Sequence, residues 1–228
     1  MTTAARSASR LAAPIICLLL LVTTAYLPTA WARGNDAGGA DNDTRVVVLG
    51  DSISAAYGIA EADGWVNLMA EHLNQTFGNV VVHNASLSGE TTGGGLQRLP
   101  DILEKTSPDI IIIELGGNDG LRGQSVKQMA ANLTDMVNLG LSYGAETLLL
   151  GMRIPSNYGP AYTEQFASTF TEVAATTGAA IVPFLLEPIA LQQKYFQPDG
   201  VHPSHEAQAL MFEHMRPAIE NLLTKIRQ

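Results

Sequence analysis

A serine that follows a glycine turn occupies a position suited to a catalytic nucleophile. Ser52 lies in the segment Gly50–Ser54 (Gly-Asp-Ser-Ile-Ser), directly after the predicted strand Arg45–Leu49. A glycine at the end of a buried strand permits a tight turn, which would leave the serine hydroxyl facing solvent at the sheet edge. Such a hydroxyl becomes a nucleophile when a base takes its proton. The alternative is a helix cap, because Asp51, Ser52 and Ser54 are all preferred N-cap types.

A second serine matches a better-known pattern but stands in the wrong context. Gly140–Gly144 (Gly-Leu-Ser-Tyr-Gly) fits the G-x-S-x-G nucleophile elbow, which requires a strand before the serine and a helix after it. Here a predicted helix precedes Ser142 and a predicted strand follows. We therefore interpret this segment as the C-terminal turn of a helix, with Gly144 as its cap.

The base is predicted in the segment Asp199–Pro203 (Asp-Gly-Val-His-Pro). An aspartate and a histidine three residues apart can meet across one turn. The carboxylate of Asp199 can then hold one ring N–H of His202 and leave the other nitrogen free to accept a proton. The alternative is a plain turn of Asp, Gly and Pro. The remaining histidines are expected to pack, cap a helix or lie on the surface: His72, His83, His205 and His214.

Two further segments carry groups that can stabilise an oxyanion. Gly116–Gly120 brings the amide donor of Asn118 to the end of an apolar strand, and Gly89 can offer a backbone N–H free of side-chain obstruction. Turn formation alone would also explain both segments. The run Gly93–Gly95 lacks the lysine and the spacing of a phosphate-binding loop, so we interpret it as a loop–helix junction.

All four segments follow apolar strands, and this shared position connects them. Periodicity predicts five strands, Arg45–Leu49, Val80–His83, Ile110–Leu115, Thr147–Gly151 and Ala180–Phe184. Between and after them it predicts helices at Trp65–Phe77, Leu96–Lys105 (apart from Pro100), Gln124–Leu141, Tyr162–Thr176 and His205–Ile226. This alternation indicates a parallel sheet covered on both faces, and the carboxyl ends of its strands meet at one edge. Independent turns or caps would not place a serine, a glycine, an asparagine and an Asp–His pair along that edge.

Composition limits the remaining possibilities. The 228 residues are 46% hydrophobic and 15% charged, which suits a folded domain and excludes a disordered polar chain. A formal net charge of -9 provides no attraction for nucleic acid or an anionic bilayer, so neither is expected as a partner. With Cys17 as its one cysteine, the chain can form neither an intrachain disulfide nor a thiolate zinc cluster.

The first 32 residues have the pattern of an export signal. Arg6 and Arg10 precede an uncharged, mostly apolar run that closes on Ala30-Trp31-Ala32, a sequence suited to signal peptidase. We predict a cleaved signal peptide (residues 1–32), a flexible leader (residues 33–44) and one domain (residues 45–228). The protein would then be periplasmic or secreted, with no stable membrane anchor after cleavage. An uncleaved anchor is the alternative, because the run approaches the length that spans a bilayer.

Taken together, these residues resemble the SGNH, or GDSL, hydrolase superfamily. Within it the chain is most similar to the bacterial periplasmic acyl-CoA thioesterase/lysophospholipase/arylesterase group. The resemblance covers essentially all of residues 45–228 and rests on Gly50–Gly58, Asn84–Thr91, Glu114–Gly123, Arg153–Gly159 and Asp199–Pro203. One departure is Ile53, where the name motif of the family has leucine.

The resemblance implies a flavodoxin-like three-layer α/β/α sandwich with a five-stranded parallel sheet. It implies Ser52 as nucleophile, His202 as base and Asp199 as its orienting partner, with an oxyanion hole formed by the Ser52 and Gly89 N–H groups and the Asn118 side chain. It also places the loop that contains Pro155, Asn157 and Tyr158 beside the acyl-binding site. The implied substrates are esters, thioesters or lysophospholipids, hydrolysed without metal or cofactor by a protein we expect to be a monomer.

Two other classes of function are considered. A metal-dependent phosphoesterase could be built on Asp51, Asn118, Asp119 and His202, although the Gly-Asn-Asp segment lacks the histidine that such enzymes place there. A non-catalytic exported binding protein would need a degenerate site, and the complete set of candidate residues argues against it.

Overall fold

The computed structural model describes Met1 and residues 43–228. The signal peptide predicted for residues 1–32 lies outside the described residues apart from Met1, as does most of the leader predicted for residues 33–44. The first strand includes Thr44, so regular structure begins one residue before the predicted domain boundary at 45.

Five strands form one parallel sheet, as the alternation of apolar runs predicts. They are β1 (Thr44–Gly50), β2 (Val80–Asn84), β3 (Ile110–Glu114), β4 (Glu146–Leu150) and β5 (Ala180–Val182). Their order across the sheet is β2-β1-β3-β4-β5, with every neighbouring pair parallel. The central strand β3 is buried along its whole length, and each buried isoleucine contributes about 1.5–3 kcal/mol of hydrophobic stabilisation. β5 ends at Val182, earlier than predicted, because the next hydrogen bond to this side runs from the Leu185 N–H to the Gly151 carbonyl and departs from the regular spacing of the ladder.

Residues 43–228 form six helices, of which the five longer ones cover the two faces of the sheet. They are α1 (Trp65–Phe77), α2 (Thr92–Thr106), α3 (Gly117–Leu121), α4 (Val126–Ser142), α5 (Pro160–Thr177) and α6 (Gln208–Ile226). α1 packs against α6, while α4 packs against both α2 and α5. The result is the predicted three-layer α/β/α sandwich. Among the helices within residues 43–228, none is long and apolar enough to cross a membrane.

Two glycine-rich segments fold differently from the prediction. Gly93–Gly95 form the first turn of α2 rather than a junction before it, and Thr91 caps this helix by accepting a hydrogen bond from the Gly94 N–H. A β-carbon on Gly95 would lie 2.3 Å from the Leu115 side chain, so the close packing of α2 on the sheet requires glycine there. Gly117–Leu121 forms the short helix α3, whereas the alternative considered for the segment Gly116–Gly120 was a turn.

The strand order determines where side chains from different loops can meet. A sheet with the order 2-1-3-4-5 has its switch point between β1 and β3, and ligands bind such sheets outside the carboxyl ends of the strands at that point. The segment with Ser52 leaves β1 there, and the segment with Asn118 leaves β3 beside it.

Candidate active site

Ser52, His202 and Asp199 form a continuous chain of hydrogen bonds. The Ser52 Oγ lies 2.9 Å from His202 Nε2, and His202 Nδ1 lies 2.7 Å from Asp199 Oδ2. If Nδ1 carries the ring proton and donates it to the carboxylate, Nε2 is left as an acceptor facing the serine hydroxyl. The structure thus brings together three residues that the sequence places on two segments about 150 positions apart.

A tight turn holds Asp199 against His202. Oδ1 of Asp199 accepts hydrogen bonds from the N–H groups of Val201 and His202, at 2.9 and 3.0 Å. These backbone donors and the His202 side chain lower the pKa of Asp199 to about 2. The carboxylate side chain is 41% exposed, so desolvation disfavours its charge only weakly. Its hydrogen bonds keep it ionised.

Three candidate oxyanion donors lie on the segments that follow β1, β2 and β3. Among residues 43–228, the N–H groups of Ser52 and Gly89 find no hydrogen-bond acceptor. Asn118, in the first turn of α3, donates one hydrogen of Nδ2 to Asp51 Oδ2 at 2.9 Å and keeps the other available. Unpaired donors at a site open to substrate are what an oxyanion hole requires before the reaction.

Two buried carboxyl groups lie beneath these donors. Glu114 has no exposed surface, and its Oε2 accepts hydrogen bonds from Ser54 Oγ at 2.6 Å and from the Asp51 N–H at 3.2 Å. Burial, followed by the nearby charge of Asp51, raises the pKa of Glu114 well above its usual value. Within the described part of the chain, Oε1 of Glu114 has no hydrogen-bond partner. The raised pKa favours the protonated, neutral form of Glu114.

Asp51 is the second carboxyl group of this pair. Burial raises the pKa of Asp51, and the hydrogen bonds from the Ile53 N–H and the Asn118 amide partly offset that rise. Sequence reasoning considers Asp51 only as a helix cap or a metal ligand and misses Glu114 altogether. A single acidic residue at the end of four isoleucines was the available signal for Glu114.

An arginine at the C-terminal end of α3, Arg122, contacts the segment that contains Gly89. Gly89 has a φ of +79°, a backbone conformation that would be strained in a residue with a side chain. Its carbonyl accepts a 3.0 Å hydrogen bond from Arg122 Nη2. This bond ties the residue that carries the free N–H to the end of α3. Arg122 is not among the predicted site residues.

The predicted substrate loop lies beside α3. Pro155 and Asn157 are exposed, and Ser156–Tyr158 form one turn of 3-10 helix. The Tyr158 hydroxyl donates a 2.7 Å hydrogen bond to the Leu121 carbonyl, so Tyr158 joins this loop to α3. The structure therefore positions the loop near Asn118; which of its residues contact substrate remains a prediction.

Other candidate residues are engaged elsewhere. The Asp119 carboxylate accepts hydrogen bonds from the Thr92 N–H at 2.9 Å and the Thr92 hydroxyl at 2.5 Å, so it links α3 to α2. This removes one ligand from the metal site considered above, and residues 43–228 contain no group of three or more metal-ligating side chains. Ser142 is the last residue of α4, and its hydroxyl donates to the Leu139 carbonyl, as the helix-end interpretation predicts.

Comparisons with known proteins identify the family. Residues 48–210 match the model of the GDSL-like lipase/acylhydrolase family. The chain is 44% identical to the esterase TesA of Pseudomonas aeruginosa, with 78% of this chain and 89% of that protein covered. It is 35% identical to the thioesterase 1/protease 1/lysophospholipase L1 of Escherichia coli K12, with 78% and 84% covered. The crystal structure of the psychrotrophic esterase EstA from a Pseudoalteromonas species, inhibited by monoethylphosphonate, is 41% identical with a TM-score of 0.76, covering 80% of this chain and 100% of that one. The chain belongs to the GDSL-like lipase/acylhydrolase family.

Proposed function

We propose that this protein hydrolyses carboxylic esters and thioesters through an acyl-enzyme formed on Ser52. The observation that carries the proposal is the unbroken hydrogen-bond chain from Ser52 Oγ through His202 to Asp199, at 2.9 and 2.7 Å. A serine, a base and an orienting carboxylate within hydrogen-bond distance of one another are the signature of nucleophilic acyl transfer.

Acylation follows from this geometry. His202 Nε2 takes the proton of Ser52 as Oγ attacks the carbonyl carbon, and the imidazolium that forms is stabilised by the Asp199 carboxylate. The carbonyl oxygen becomes an oxyanion facing the N–H groups of Ser52 and Gly89 and the amide of Asn118. Each such donor is worth about 100- to 1,000-fold in kcat, because its dipole is already oriented when the charge develops.

Collapse of the tetrahedral intermediate releases the first product. The carbon–oxygen or carbon–sulfur bond breaks as His202 returns its proton to the departing alkoxide or thiolate. A water molecule then gives a proton to His202 and attacks the acyl carbon, and a second collapse frees the acid and restores the Ser52 hydroxyl. Every proton is carried by His202, so no metal or cofactor takes part in this scheme.

The substrate class is proposed from the relatives and from the rim of the site. One relative is named as a thioesterase and lysophospholipase, and another as an esterase. Four exposed apolar side chains lie on the segments that carry the triad or the candidate oxyanion donors: Tyr57, Leu87, Leu121 and Val201. They offer an acyl chain an apolar surface, and we propose that Pro155, Asn157 and Tyr158 border the same substrate.

We also propose that the protein acts outside the cytoplasm as a monomer. The predicted signal peptide supports export, and the net charge of -9 suits a protein that meets its substrates without binding an anionic bilayer. N-terminal sequencing of protein recovered from the periplasm would reveal the cleavage site, expected after Ala32. Light scattering of the processed form should give the mass of a single chain.

A covalent probe tests the assignment of the nucleophile. A fluorophosphonate should label the wild-type protein at Ser52, and Ser52→Ala should abolish both labelling and p-nitrophenyl ester hydrolysis while the circular dichroism spectrum is unchanged. Ser142→Ala is the matched control, because Ser142 fits the alternative motif but donates to a helix carbonyl. It should be labelled at the wild-type rate. Full activity of Ser52→Ala, or loss of labelling in Ser142→Ala, would contradict the proposal.

A substrate panel distinguishes among the ester classes. We expect activity on p-nitrophenyl esters, acyl-CoA and lysophosphatidylcholine, unaffected by EDTA. Loss of activity in EDTA that returns with added metal would favour the phosphoesterase alternative.

A further inference from the structure

A glutamine that sequence reasoning passes over connects the two loops that carry the triad. Residues 51–58, here called the nucleophile loop, contain Ser52; residues 197–204, here called the acid–base loop, contain Asp199 and His202. The side-chain amide of Gln197 donates both of its hydrogens, to the Tyr57 carbonyl at 2.7 Å and to the Pro203 carbonyl at 3.1 Å. One half-buried side chain thus bridges the two loops.

The backbone of Gln197 closes the acid–base loop on itself. Its N–H donates a 2.8 Å hydrogen bond to the His202 carbonyl, and its own carbonyl accepts one of 2.9 Å from the Gly200 N–H. The turn that holds Asp199 against His202 therefore lies between two backbone hydrogen bonds of Gln197. The side-chain amide adds the contact that joins this turn to the nucleophile loop.

Tyr57, which accepts one of the two hydrogen bonds from Gln197, contacts both Ser52 and His202. The Tyr57 N–H donates a 3.0 Å hydrogen bond to the Ser52 carbonyl, and the Tyr57 ring lies 4.5 Å from the His202 ring, centroid to centroid. Gln197, by holding the Tyr57 carbonyl, thus fixes a residue that is tied to Ser52 and packs on the imidazole of His202.

The chemistry of the bridge requires a neutral amide of this length. Two carbonyl oxygens face the same nitrogen, so a carboxylate in its place would repel both of them and an apolar side chain would leave both unpaired. The backbone of Gly58 also packs closely against the oxygen of the Gln197 amide. A β-carbon on Gly58, which has a φ of +78°, would lie 2.2 Å from the Gln197 Oε1.

A second glutamine makes a comparable contact further from the reacting atoms. Oε1 of the buried Gln208 accepts a 3.1 Å hydrogen bond from the Trp65 N–H at the start of α1, and its Nε2 donates to the Ser204 carbonyl. It supplies the cap that Gly64 cannot provide. Gln208 therefore anchors the end of the acid–base loop to α1, whereas Gln197 joins that loop to the nucleophile loop.

We propose that Gln197 is a positioning residue for the reaction described above, holding the acid–base loop against the nucleophile loop so that His202 Nε2 stays within hydrogen-bond distance of Ser52 Oγ. This inference rests on the proposed function. Gln197 contacts neither substrate nor the transferred proton; it acts through Tyr57 and Pro203. A displacement of about 1 Å between nucleophile and base is enough to lower turnover about 100-fold.

Gln197→Met is the first test, because it keeps the length and volume of the side chain and removes both donors. We expect kcat on p-nitrophenyl butyrate to fall about 10- to 100-fold with KM changed less than about twofold, since substrate contacts are untouched. Activity is normalised to the number of sites that a fluorophosphonate titrates. A merely structural role would lower the number of titrated sites and the melting temperature but leave the turnover of each site unchanged, and that result would overturn the inference.

Gln197→Glu supplies a second readout of the bridge. Below the pKa of the introduced carboxyl, its O–H can donate one of the two lost hydrogen bonds; above it, the carboxylate repels both carbonyl oxygens. The ratio of kcat for Gln197→Glu to that for Gln197→Met should therefore rise as the pH falls. A ratio independent of pH would contradict the proposal.

The control is Gln192→Met. Gln192 is exposed, and its amide reaches only the Pro188 carbonyl of its own turn, at 3.4 Å. It should keep wild-type turnover, titration and melting temperature.

The two proposals can fail separately. Persistent labelling of Ser52→Ala would refute the assignment of the nucleophile. Labelling restricted to Ser52, with wild-type turnover in Gln197→Met, would refute only the role of Gln197.

Discussion

Asp51 fixes the amide of Asn118 by accepting a 2.9 Å hydrogen bond from its Nδ2. Asp51 is almost fully buried, and its other oxygen accepts from the Ile53 N–H at 3.0 Å. The residue before the serine therefore orients a donor that arrives from a different strand. Orientation of this kind before the reaction is what gives an oxyanion hole its catalytic effect.

Asp51→Asn should lower kcat about 10- to 100-fold with little change in KM, less than the full loss of an oxyanion donor. The variant keeps one acceptor oxygen where the carboxylate supplies two, so either Ile53 or Asn118 loses its partner. In an Asn118→Ala background the same substitution should cost almost nothing further, since there is no amide left to orient. Steady-state kinetics of the four proteins measure this coupling, and additive losses would show that Asp51 acts by another route.

Asp199→Asn should lower kcat by about 1,000- to 10,000-fold, because the amide that replaces Oδ2 would face His202 Nδ1 as a donor and favour the wrong tautomer. The low pKa of Asp199, about 2, keeps the carboxylate ionised throughout the pH range of an esterase assay. Its protonation therefore does not limit the wild-type rate at any such pH. Asp63→Asn is the control: Asp63 lies 3.8 Å from the exposed His205 and should be replaceable without loss. A rate close to wild type for Asp199→Asn would show that the backbone alone orients His202.

Arg122→Met should lower kcat about fivefold, the value of one ordinary hydrogen bond of about 1 kcal/mol. The effect is modest because the bond to the Gly89 carbonyl is exposed to solvent. The measurement is kcat per titrated site on a short p-nitrophenyl ester, and Lys127→Met, which removes an exposed cation from α4, provides the comparison. Equal rates for the two variants would mean that the Gly89 peptide needs no support from Arg122.

Glu114→Gln should gain stability relative to the wild type as the pH rises. The pKa of Glu114 is raised by burial, so the folded protein holds a proton that the unfolded chain releases above its usual pKa near 4.5. The wild type therefore loses stability as the pH rises from that value towards the folded pKa, whereas glutamine has no proton to lose. Melting temperatures of both proteins between pH 4.5 and pH 8 test this. A difference that stays constant across the range would mean that Glu114 is charged in the folded state.

The sequence predicts the triad because each member lies in a short local motif at the end of a strand. Ser52 follows β1 directly, and Asp199 and His202 are three positions apart, so neither assignment requires knowledge of long-range packing. The parallel sheet is equally predictable, since five apolar runs alternate with helices and only the ends differ. The confirmed fold then brings the two segments to the same edge.

Residues that support the site are not predictable in this way. Gln197 has no chemical signature, and its partner Tyr57 lies 140 positions away and contributes only a carbonyl oxygen. The helix α3 contains two glycines and depends on the contact between Asp119 and Thr92, which no local pattern indicates. The raised pKa of Glu114 follows from burial, a property of the finished fold.

The separation of Ser52 and His202 along the chain makes turnover a sensor of folding. The nucleophile leaves the first strand and its base comes after the last, so a molecule in which β5 or the acid–base loop has detached still has its serine but cannot activate it. The side chain of Trp65, at the start of α1, is fully buried and reports the opening of the core. On heating, hydrolysis should therefore cease before the tryptophan signal changes, and the interval between the two temperatures measures how firmly the last loop is held.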